Sequence, residues 1–344
     1  MDPLEALREI AFLLERALES TYRVKAFRTA AATVARTDPA ELQRLHRDRT
    51  LTELDGVGER TASVIGQALD GQVPSYLDDL RRKLTHPVQL DEAGEALMAQ
   101  LRGDLHSHSD WSDGGSPIEE MARTAAQLGH EYLALTDHSP RLTVANGLSP
   151  ERLRRELQIV RELNDDLAPF RFLSGIEVDI LDDGALDQEP VLLGELDVVV
   201  ASVHSKLRMD APTMTRRMVA AIANPHTDVL GHCTGRYVTK NTRTGKPRPP
   251  SEFDADIVFE ACRQFGVAVE INSRPERLDP PRELLRQAVE AGCLFSIDTD
   301  AHAPGQLDWR PYGVERAVAC GVPAERIVTT WDVDRLLEWT RRHE

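Results

Sequence analysis

The sequence predicts an α/β protein built on a parallel β-sheet, most simply closed as a barrel, with a smaller all-α domain in front of it. From residue 101 onward, seven short β-rich runs alternate with helical runs, which is the pattern of a parallel sheet. Residues 1–85 instead show apolar residues at helical spacing. A chain of 344 residues has room for one large domain and one small domain.

The first domain is predicted over residues 1–85. Its first helix is indicated by the spacing of Leu4, Leu7, Ile10, Leu13, Leu14 and Leu18. A second helix begins near Val24 and is expected to end at Pro39, because proline interrupts a helix. In the stretch LTELDGVGERTASVIG, Gly56-Val57-Gly58 is predicted to form a tight hairpin between a short helix and a longer one that starts near Glu59. Residues 86–100 are expected to be a linker.

The large domain is predicted over residues 101–344. Its strand candidates are residues 103–108, 132–138, 170–180, 196–204, 228–233, 267–272 and 294–302. Amphipathic helical segments lie between several of them, for example SPIEEMARTAAQLG and PRELLRQAVEAG.

Composition narrows the class of protein. The chain is 41% hydrophobic and 28% charged, as is usual for a globular protein. No basic, apolar leader opens it and no run approaches about 18 apolar residues, so neither a signal peptide nor a membrane span is expected. Four widely spaced cysteines without a CxxC pair predict reduced thiols in the cytoplasm. The net charge of −16 disfavours a nucleic-acid coat protein. The same net charge says little about whether the protein is an enzyme, because bound divalent ions reverse the sign of the charge at an active site.

The stretch RGDLHSHSDWSDGG indicates a metal site. His106 and His108 are two positions apart. In an extended chain, residues at this spacing lie on the same face, with their Cα atoms roughly 7 Å apart. Polar residues also follow other predicted strands, and in a barrel the carboxyl ends of the strands meet at one mouth. The whole set is His106, His108, Asp113, Asp137, His138, Glu177, His204, His232, Asp300 and His302.

Six of the eleven histidines in the chain belong to this set. Burying so many polar groups side by side is costly unless something binds them together. Mixed imidazole and carboxylate ligands suit zinc, manganese or iron better than magnesium or calcium. His106 and His108 are therefore interpreted as metal ligands.

The ordered motifs DLHSHSDWSDG, ALTDHS, GIEVDI, SVHSKLRM, LGHCTGR, EINSRPERLD and DTDAH resemble those of the PHP (polymerase and histidinol phosphatase) domain. The similarity is greatest to the PHP domain of bacterial family X DNA polymerases, and it covers residues 101–344. Residues 1–85 resemble the helix–hairpin–helix domain of the same polymerases, through YRVKAFRTAAATVA and LDGVGERTA. The resemblance implies a distorted (β/α)7 barrel behind a small all-α domain.

The chain departs from these polymerases in one respect. They carry a nucleotidyl-transfer domain with an aspartate triad between the two pieces, whereas only residues 86–100 separate the pieces here. The stretch GERTASVIG after the hairpin holds Arg60 and no lysine, so Schiff-base lyase chemistry is not expected.

The resemblance also implies a centre of two to three divalent ions, zinc or manganese, with iron possible. One ion would take His106, His108, Glu177 and Asp300, and a second would take the bridging Glu177 with His204 and His232. The third would take Asp113, His138 and His302. Glu177, Asp300 and His302 are the implied catalytic residues. Asp104, Asp137 and Asp298 are expected to orient the ligating imidazoles.

Two further sets of residues are candidates for binding the substrate. Arg208, Arg236 and Arg274 follow strand ends and could hold phosphate oxygens. The hairpin residues Gly56, Val57, Gly58 and Arg60 could contact a DNA phosphate, because such hairpins present backbone N–H groups. Residues 20–50 add seven Lys or Arg against three Asp or Glu, a local charge of +4.

Three functions remain open from the sequence. The first is a metal-dependent phosphodiesterase that acts on DNA 3′ ends or abasic sites. The second is a small-molecule phosphatase of the histidinol-phosphate type, and the third is a non-catalytic DNA-binding accessory protein. The expected partner is accordingly DNA, or alternatively a phosphorylated small molecule, and no membrane.

Overall fold

The computed structural model describes residues 1–86, 88–239 and 245–341. By its internal contacts the chain divides into two compact units. We call residues 1–87 unit 1 and residues 88–344 unit 2.

Unit 1 is helical, as the apolar spacing predicted. Its helices are α1 (Pro3–Arg16), α2 (Thr21–Arg36), α3 (Pro39–Asp48), α4 (Glu59–Leu69) and α5 (Ser75–Lys83), with a 3-10 turn at Leu51–Glu53. Pro39 does not end the second helix, which stops at Arg36. Pro39 is instead the first residue of α3, a position that proline tolerates because no intrahelical N–H bond is needed there. Asp38 caps this helix by accepting from the N–H groups of Ala40 and Glu41.

The core of unit 1 is made by the apolar stripe of α1. Leu7, Ile10 and Leu14 on this helix are completely buried. Phe27 of α2 stacks on Tyr76 of α5 with their ring centroids 5.4 Å apart. The helical spacing in the sequence therefore corresponds to a packed face, which is the main source of helix stability in proteins.

The two glycines of the predicted hairpin have different roles. Gly56 has φ +73°, and a Cβ atom there would lie 2.4 Å from Cγ2 of Thr29. Gly58 has φ −95° and open space around it, with nothing within 4 Å of a Cβ atom. A positive φ and a close approach therefore require glycine at position 56 alone, whereas glycine at position 58 leaves room beside the first turn of α4.

Unit 2 is a distorted, nearly closed barrel of seven parallel strands with helices around it, which confirms the predicted fold class. The strands are β1 (Gly103–Asp104), β2 (Tyr132–Leu135), β3 (Arg171–Asp179), β4 (Val198–Ser202), β5 (Val229–Leu230), β6 (Ala268–Asn272) and β7 (Leu294–Asp298), paired in that order. A bridge between Ser107 and Ala301 joins the segments that follow β1 and β7.

The helices of unit 2 lie mostly between successive strands, as parallel pairing requires. They are α6 (Glu92–Met98), α7 (Ile118–Gln127), α8 (Pro150–Leu167), α9 (Pro190–Leu193), α10 (Ala211–Ile222), α11 (Ala255–Phe265), α12 (Arg282–Ala291), α13 (Arg310–Cys320) and α14 (Val333–Thr340). None of the helices in the described ranges is both long and apolar enough to cross a lipid bilayer.

Two features of unit 2 differ from the sequence-based expectation. Helix α6 lies inside the predicted linker 86–100, and its Leu97 is buried in the core of unit 2. Several strands are also shorter than predicted, and β1 ends at Asp104, before either histidine of its motif. Beyond that point the backbone pairing is interrupted: the carboxylate of Asp298 accepts from the N–H of Leu105, and backbone bonds resume at Ser107 and His108.

We expect Gly56→Ala to destabilise unit 1 by about 2–4 kcal/mol, because the substitution adds a steric clash to backbone strain. Gly71→Ala is the matched control, since Gly71 has φ +75° but nothing within 4 Å of a Cβ atom, and it should cost about 1 kcal/mol. Urea unfolding followed by far-UV circular dichroism measures both. Equal losses in the two variants would contradict the steric contribution. All four tryptophans (Trp111, Trp309, Trp331 and Trp339) lie in unit 2, so tryptophan fluorescence monitors that unit separately.

Candidate metal centre

The nine predicted metal ligands lie close together, at or just beyond the carboxyl ends of the barrel strands. Glu177 is within β3, and the others are in the segments after β1, β2, β4, β5 and β7. They form four overlapping groups whose ligand atoms lie within 4.8 Å of one another. The groups are His106, His108 and Asp300; His106, Glu177 and His232; His138, Glu177 and His204; and His108, Asp113, His138 and His302.

The buried carboxylate of Glu177 lies at the middle of this cluster. Its Oε1 atom faces Nε2 of His232 at 2.8 Å and Nε2 of His204 at 3.2 Å. Its Oε2 atom faces three more imidazole nitrogens: Nδ1 of His138 at 2.9 Å, Nε2 of His106 at 3.4 Å and Nε2 of His108 at 3.5 Å. One carboxylate is thus shared by five imidazoles, which is the arrangement expected of a bridging ligand.

Two further carboxylates complete the cluster. Oδ1 of Asp300 lies 3.5 Å from Nε2 of His108. Oδ1 of Asp113 lies 3.4 Å from Nε2 of His138 and 3.3 Å from Nε2 of His302. The side chains of Asp113 and His302 are 36% and 19% exposed, so the cluster opens to solvent on their side.

These distances fit shared ions better than hydrogen bonds. Two ligand atoms bound at 2.0–2.2 Å to one tetrahedral ion are about 3.3–3.6 Å apart, and most of the pairs above fall near that range. Among the described residues, the buried ring nitrogens of His108 and His232 and both oxygens of Glu177 have no hydrogen-bond partner. Such groups are rarely left unpaired in a folded protein. The donor set therefore fits divalent ions of the kind that accept both imidazole and carboxylate.

The local electrostatics hold most of the ligands in states that bind a cation. Burial alone would raise the pKa of Glu177, but the surrounding imidazoles outweigh it and hold that pKa well below its usual range. Arg277 does the same for the pKa of Asp300 against the effect of burial. Burial and the neighbouring imidazoles lower the pKa of His108 to about 3, so its ring is neutral. Carboxylate anions and a neutral imidazole are the forms that coordinate metals.

In the absence of an ion, neighbouring carboxylates raise the pKa of His106 and that of His204 against the effect of burial, and His138 behaves in the same way. Burial lowers its pKa, but the carboxylates of Glu177 and Asp113 outweigh that effect and raise it to about 10. Ion binding at this position must therefore displace a proton.

Two carboxylates that the sequence analysis did not select hold the imidazoles in place. Oε1 of Glu270 lies 2.5 Å from Nδ1 of His106, and Oε2 accepts from the backbone N–H of His232 at 2.5 Å. Asp179 accepts from the backbone N–H of His204 and lies 3.4 Å from its Nδ1. Because Glu270 occupies Nδ1 of His106, the Nε2 atom of that ring is left to face Glu177.

The carboxylates expected in this orienting role make no direct hydrogen bond to an imidazole ring in the described residues, but Asp104 accepts from the backbone N–H of His106 at 3.1 Å, as Asp179 does from that of His204. Asp104 accepts from the backbone N–H and the hydroxyl of Thr299. Asp298 accepts from the backbone of Leu105. Asp137 accepts from Ser109 and Ser112, and its nearest approach to Nδ1 of His108 is 3.9 Å. The sequence contains a signal for Glu270, because it is a charged residue among apolar ones in the strand candidate VAVEIN. The sequence analysis took no site residue from this strand.

Of the three arginines predicted to bind phosphate, Arg274 lies at the metal cluster. One of its terminal nitrogens is 3.0 Å from Nδ1 of His302. Arg236 instead donates to the backbone carbonyls of Arg277 and Leu278, so its guanidinium stabilises a turn. Arg208 is exposed on the loop after β4.

Arg277 was not predicted, although it forms an ion pair with the carboxylate of a candidate ligand. Its Nε atom lies 3.0 Å from Oδ2 of Asp300. Its side chain is buried, so it compensates the charge of that carboxylate inside the protein.

The hairpin in unit 1 leaves backbone donors available at the start of α4. Val57 is buried and its N–H donates to the carbonyl of Leu54, so Val57 itself offers no donor to DNA. The N–H of Gly58 is bonded to Oγ1 of Thr61. The first N–H groups of α4 have no intrahelical acceptor, and no side chain caps them. Gly58 and Arg60 are exposed beside these groups.

Fewer basic side chains of residues 20–50 are available to a partner than the seven counted in the sequence. Arg23, Arg28 and Arg44 form ion pairs with carboxylates of their own unit. Lys25, Arg36, Arg47 and Arg49 are exposed and remain available to an anionic partner.

Comparison with known proteins identifies both pieces of the chain. Residues 104–274 match the family model described as PHP domain, and residues 1–73 match the model described as Helix-hairpin-helix domain. A protein of Bacillus subtilis named DNA polymerase/3′-5′ exonuclease PolX is 41% identical over 220 residues. These residues are 64% of this chain but only 37% of that relative.

More distant relatives match over nearly their whole length. A probable phosphatase of Thermoanaerobacter sp. (strain X514) is 26% identical over 249 residues, which are 69% of this chain and 94% of the relative. A solved histidinol phosphate phosphatase of Lactococcus lactis, complexed with zinc, L-histidinol and phosphate, has a TM-score of 0.44 and 17% identity, and covers 64% of this chain and 92% of its own.

Both family matches agree in position with the two units of the structure, and the side chains at the barrel mouth provide the imidazole and carboxylate donors of a metal centre. The chain therefore belongs to the PHP family of metal-dependent phosphoester hydrolases and carries a helix–hairpin–helix domain ahead of its PHP domain.

Proposed function

We propose that the chain hydrolyses phosphodiester bonds in DNA, at a 3′ end or at an abasic site. The observation that carries this proposal is the 41% identity of its PHP region to a relative named as a 3′-5′ exonuclease. A helix–hairpin–helix domain on the same chain supports it, because the free N–H groups at the start of α4 suit a DNA phosphate. The four cysteines are free and buried, which fits a reducing compartment such as the cytoplasm.

The proposed cofactors are two to three divalent ions, zinc or manganese, with iron also possible. Their ligands would be His106, His108, Glu177 and Asp300 for the first, Glu177, His204 and His232 for the second, and Asp113, His138 and His302 for the third. The groups observed in the structure overlap more widely, since Glu177 and His232 are grouped with His106, and Glu177 and His204 with His138. Bound divalent ions supply Lewis acidity and lower the pKa of water, which are the two requirements for hydrolysis of a phosphate ester near neutral pH.

The residues of the chain would set the path of the substrate. Three divalent ions would outweigh the charges of Asp113, Glu177 and Asp300, so the centre attracts phosphate although the protein is acidic overall. The exposed edge at Asp113 and His302 is the side from which substrate can enter. Arg274, beside His302, is placed to hold a non-bridging phosphate oxygen. In the reaction the oxygen of water bonds to phosphorus, the bond to the leaving oxygen breaks, and that oxygen takes up a proton.

A small-molecule phosphatase of the histidinol-phosphate type is the second candidate. It is supported by the probable phosphatases, which match this chain over nearly their whole length. Metal-loaded protein assayed on single-stranded DNA, on an abasic duplex and on a panel of phosphomonoesters separates the two functions. A preference for a monoester over both DNA substrates would favour the phosphatase.

The first prediction concerns the number of ions. Elemental analysis should find more than one divalent ion per chain. Glu177→Gln should lose at least two ions, because the carboxylate of Glu177 faces two groups of ligands, whereas His302→Ala should lose one. His226→Ala, a histidine in the loop before β5, is the control and should keep all ions. Chelation should lower the unfolding temperature reported by tryptophan fluorescence. A metal-free protein with full activity would contradict the proposed centre.

The second prediction concerns Glu270. Glu270→Gln should weaken ion binding by about 10–100-fold, because the Nδ1 atom of His106 loses its carboxylate partner. Competition with a chromogenic chelator measures the affinity. Asp197→Asn is the control: Asp197 is a half-buried carboxylate that accepts from Ser174 at the amino ends of the strands. If both variants bound ions equally well, Glu270 would have no orienting role.

The third prediction concerns the hairpin. In Gly58→Asp the new carboxylate should cap the free N–H groups of α4 and repel a phosphate, while open space lets the variant fold. The KM for DNA should rise roughly ten-fold through the loss of one charge-assisted contact, with a weaker salt dependence. Hydrolysis of a small chromogenic phosphodiester should not change.

Gly71→Asp is the matched control for this variant, because it places the same charge just beyond the other end of α4. It should leave the KM for DNA unchanged. A folded Gly58→Asp protein with the wild-type KM would exclude the hairpin from DNA binding and would leave the phosphoesterase assignment intact.

A further inference from the structure

A cluster of two arginines and a tyrosine lies beside the metal centre. Tyr237 follows β5 and pairs with Arg248 through two backbone hydrogen bonds, at 2.9 and 3.0 Å. The guanidinium carbon of Arg248 is 4.4 Å from the centroid of the Tyr237 ring, and that of Arg277 is 4.7 Å from the same centroid. We call Tyr237, Arg248 and Arg277 the arginine–tyrosine cluster.

The cluster is connected to the proposed metal ligands through Arg277. The Nε atom of Arg277 is 3.0 Å from Oδ2 of Asp300, and Asp300 in turn faces His108. Arg277 thus has a carboxylate partner on one side and the ring of Tyr237 on the other. Arg248, on the same ring, therefore lies next to the centre without being part of it.

Arg248 differs from Arg277 in forming no ion pair with a carboxylate among the described residues, although the charge of Asp279 is close enough to act on its pKa. Its Nε atom donates to the backbone carbonyl of Gly235 at 2.6 Å. Among the residues that the structure describes, no carboxylate forms an ion pair with it. Burial and the charge of Arg277 both lower the pKa of Arg248, yet a guanidinium remains protonated in proteins. A half-buried cation beside a second cation is stabilised when an anion binds to it.

We propose that Arg248 binds a second phosphate of the substrate, the phosphodiester next to the one that is hydrolysed. This inference rests on the proposed function, because successive phosphates of a nucleic acid strand are joined by one nucleoside. The stacking on Tyr237 and the bond to Gly235 hold the planar guanidinium in a fixed orientation, which suits recognition of phosphate oxygens. The cluster thereby favours a polynucleotide over a phosphomonoester.

The variant that tests the proposal is Arg248→Gln, since glutamine can still donate to the carbonyl of Gly235 but carries no charge. Loss of a hydrogen-bonded charge contact should raise the KM for a thymidine trinucleotide about 10–100-fold. The kcat for the trinucleotide and the hydrolysis of bis(p-nitrophenyl) phosphate, which has a single phosphate, should stay at wild-type values. Arg248→Lys should recover part of the affinity. Arg326→Gln is the control, because Arg326 is a half-buried arginine that donates to the carbonyl of Val289.

Direct binding gives a second readout. The anisotropy of a fluorescent trinucleotide, titrated into metal-free protein at several salt concentrations, should show a log–log salt slope smaller by about 0.7 in Arg248→Gln, as expected for one lost single-strand phosphate contact. The wild-type protein supplies an independent test if the variants do not fold. Its KM for the trinucleotide TpTpT, with two phosphodiesters, should be at least about ten-fold below that for the dinucleotide TpT, with one.

The possible failures can be told apart. If wild-type protein cleaves the trinucleotide but Arg248→Gln has the same KM and salt slope, or if TpT and TpTpT have equal KM values, the second phosphate site is wrong and the DNA function stands. If Arg248→Gln also loses activity on bis(p-nitrophenyl) phosphate, Arg248 supports the metal centre rather than the substrate. If wild-type protein hydrolyses monoesters and neither oligonucleotide, the proposed function and this inference are both wrong.

Discussion

The carboxylate of Glu177 is the group on which the arrangement of unit 2 depends. It is buried, faces five imidazoles and has no hydrogen-bond partner among the described residues. A buried anion among buried imidazoles is unfavourable unless cations compensate it. The barrel brings these side chains together, because the carboxyl ends of its parallel strands all lie at one mouth. The buried Arg217 of α10 donates to the backbone carbonyls of Leu181 and Ser205. It therefore holds together the loop after Glu177 and the loop after His204.

The free backbone donors of the hairpin and the candidate metal ligands lie in separate units of the chain. Unit 1 has its own apolar core and offers free backbone donors at the start of α4. Unit 2 contains all of the candidate ligands. The net charge of −16 does not exclude an anionic substrate, because electrostatic attraction is local. Unit 1 has exposed basic residues on α2 and α3, and the ions proposed for unit 2 would add positive charge beside Arg274.

The sequence predicted seven parallel strands closed as a barrel, and the structure brings the nine predicted ligands together, because both follow from strong, local patterns. It did not predict where the strands end. Periodicity indicates apolar faces. It does not indicate that the ladder beside β1 is interrupted where the carboxylates of Asp298 and Asp104 accept from backbone N–H groups almost 200 residues away. Glu270 was missed for a related reason. Its role depends on the contact with His106, which is 164 positions away in the sequence, and a single glutamate in a strand does not reveal such a contact. Arg236 was misjudged because its position after a strand end does not reveal that backbone carbonyls bind its guanidinium.

The charges of unit 2 are ordered from the inside outward, and this order relates the centre to its substrate. Innermost are the carboxylates of Glu177 and Glu270, which require cations around them. Next is Arg277, whose charge is balanced by Asp300. Farther out is Arg248, whose guanidinium stacks on the same Tyr237 ring as that of Arg277. Among the described residues, no carboxylate forms an ion pair with it. Arg277 is compensated by Asp300, whereas the neighbouring Arg248 forms no ion pair with a described carboxylate and is repelled by Arg277, so a bound anion would stabilise it. An anionic group that extends beyond the reacting phosphate is the ligand that completes this order.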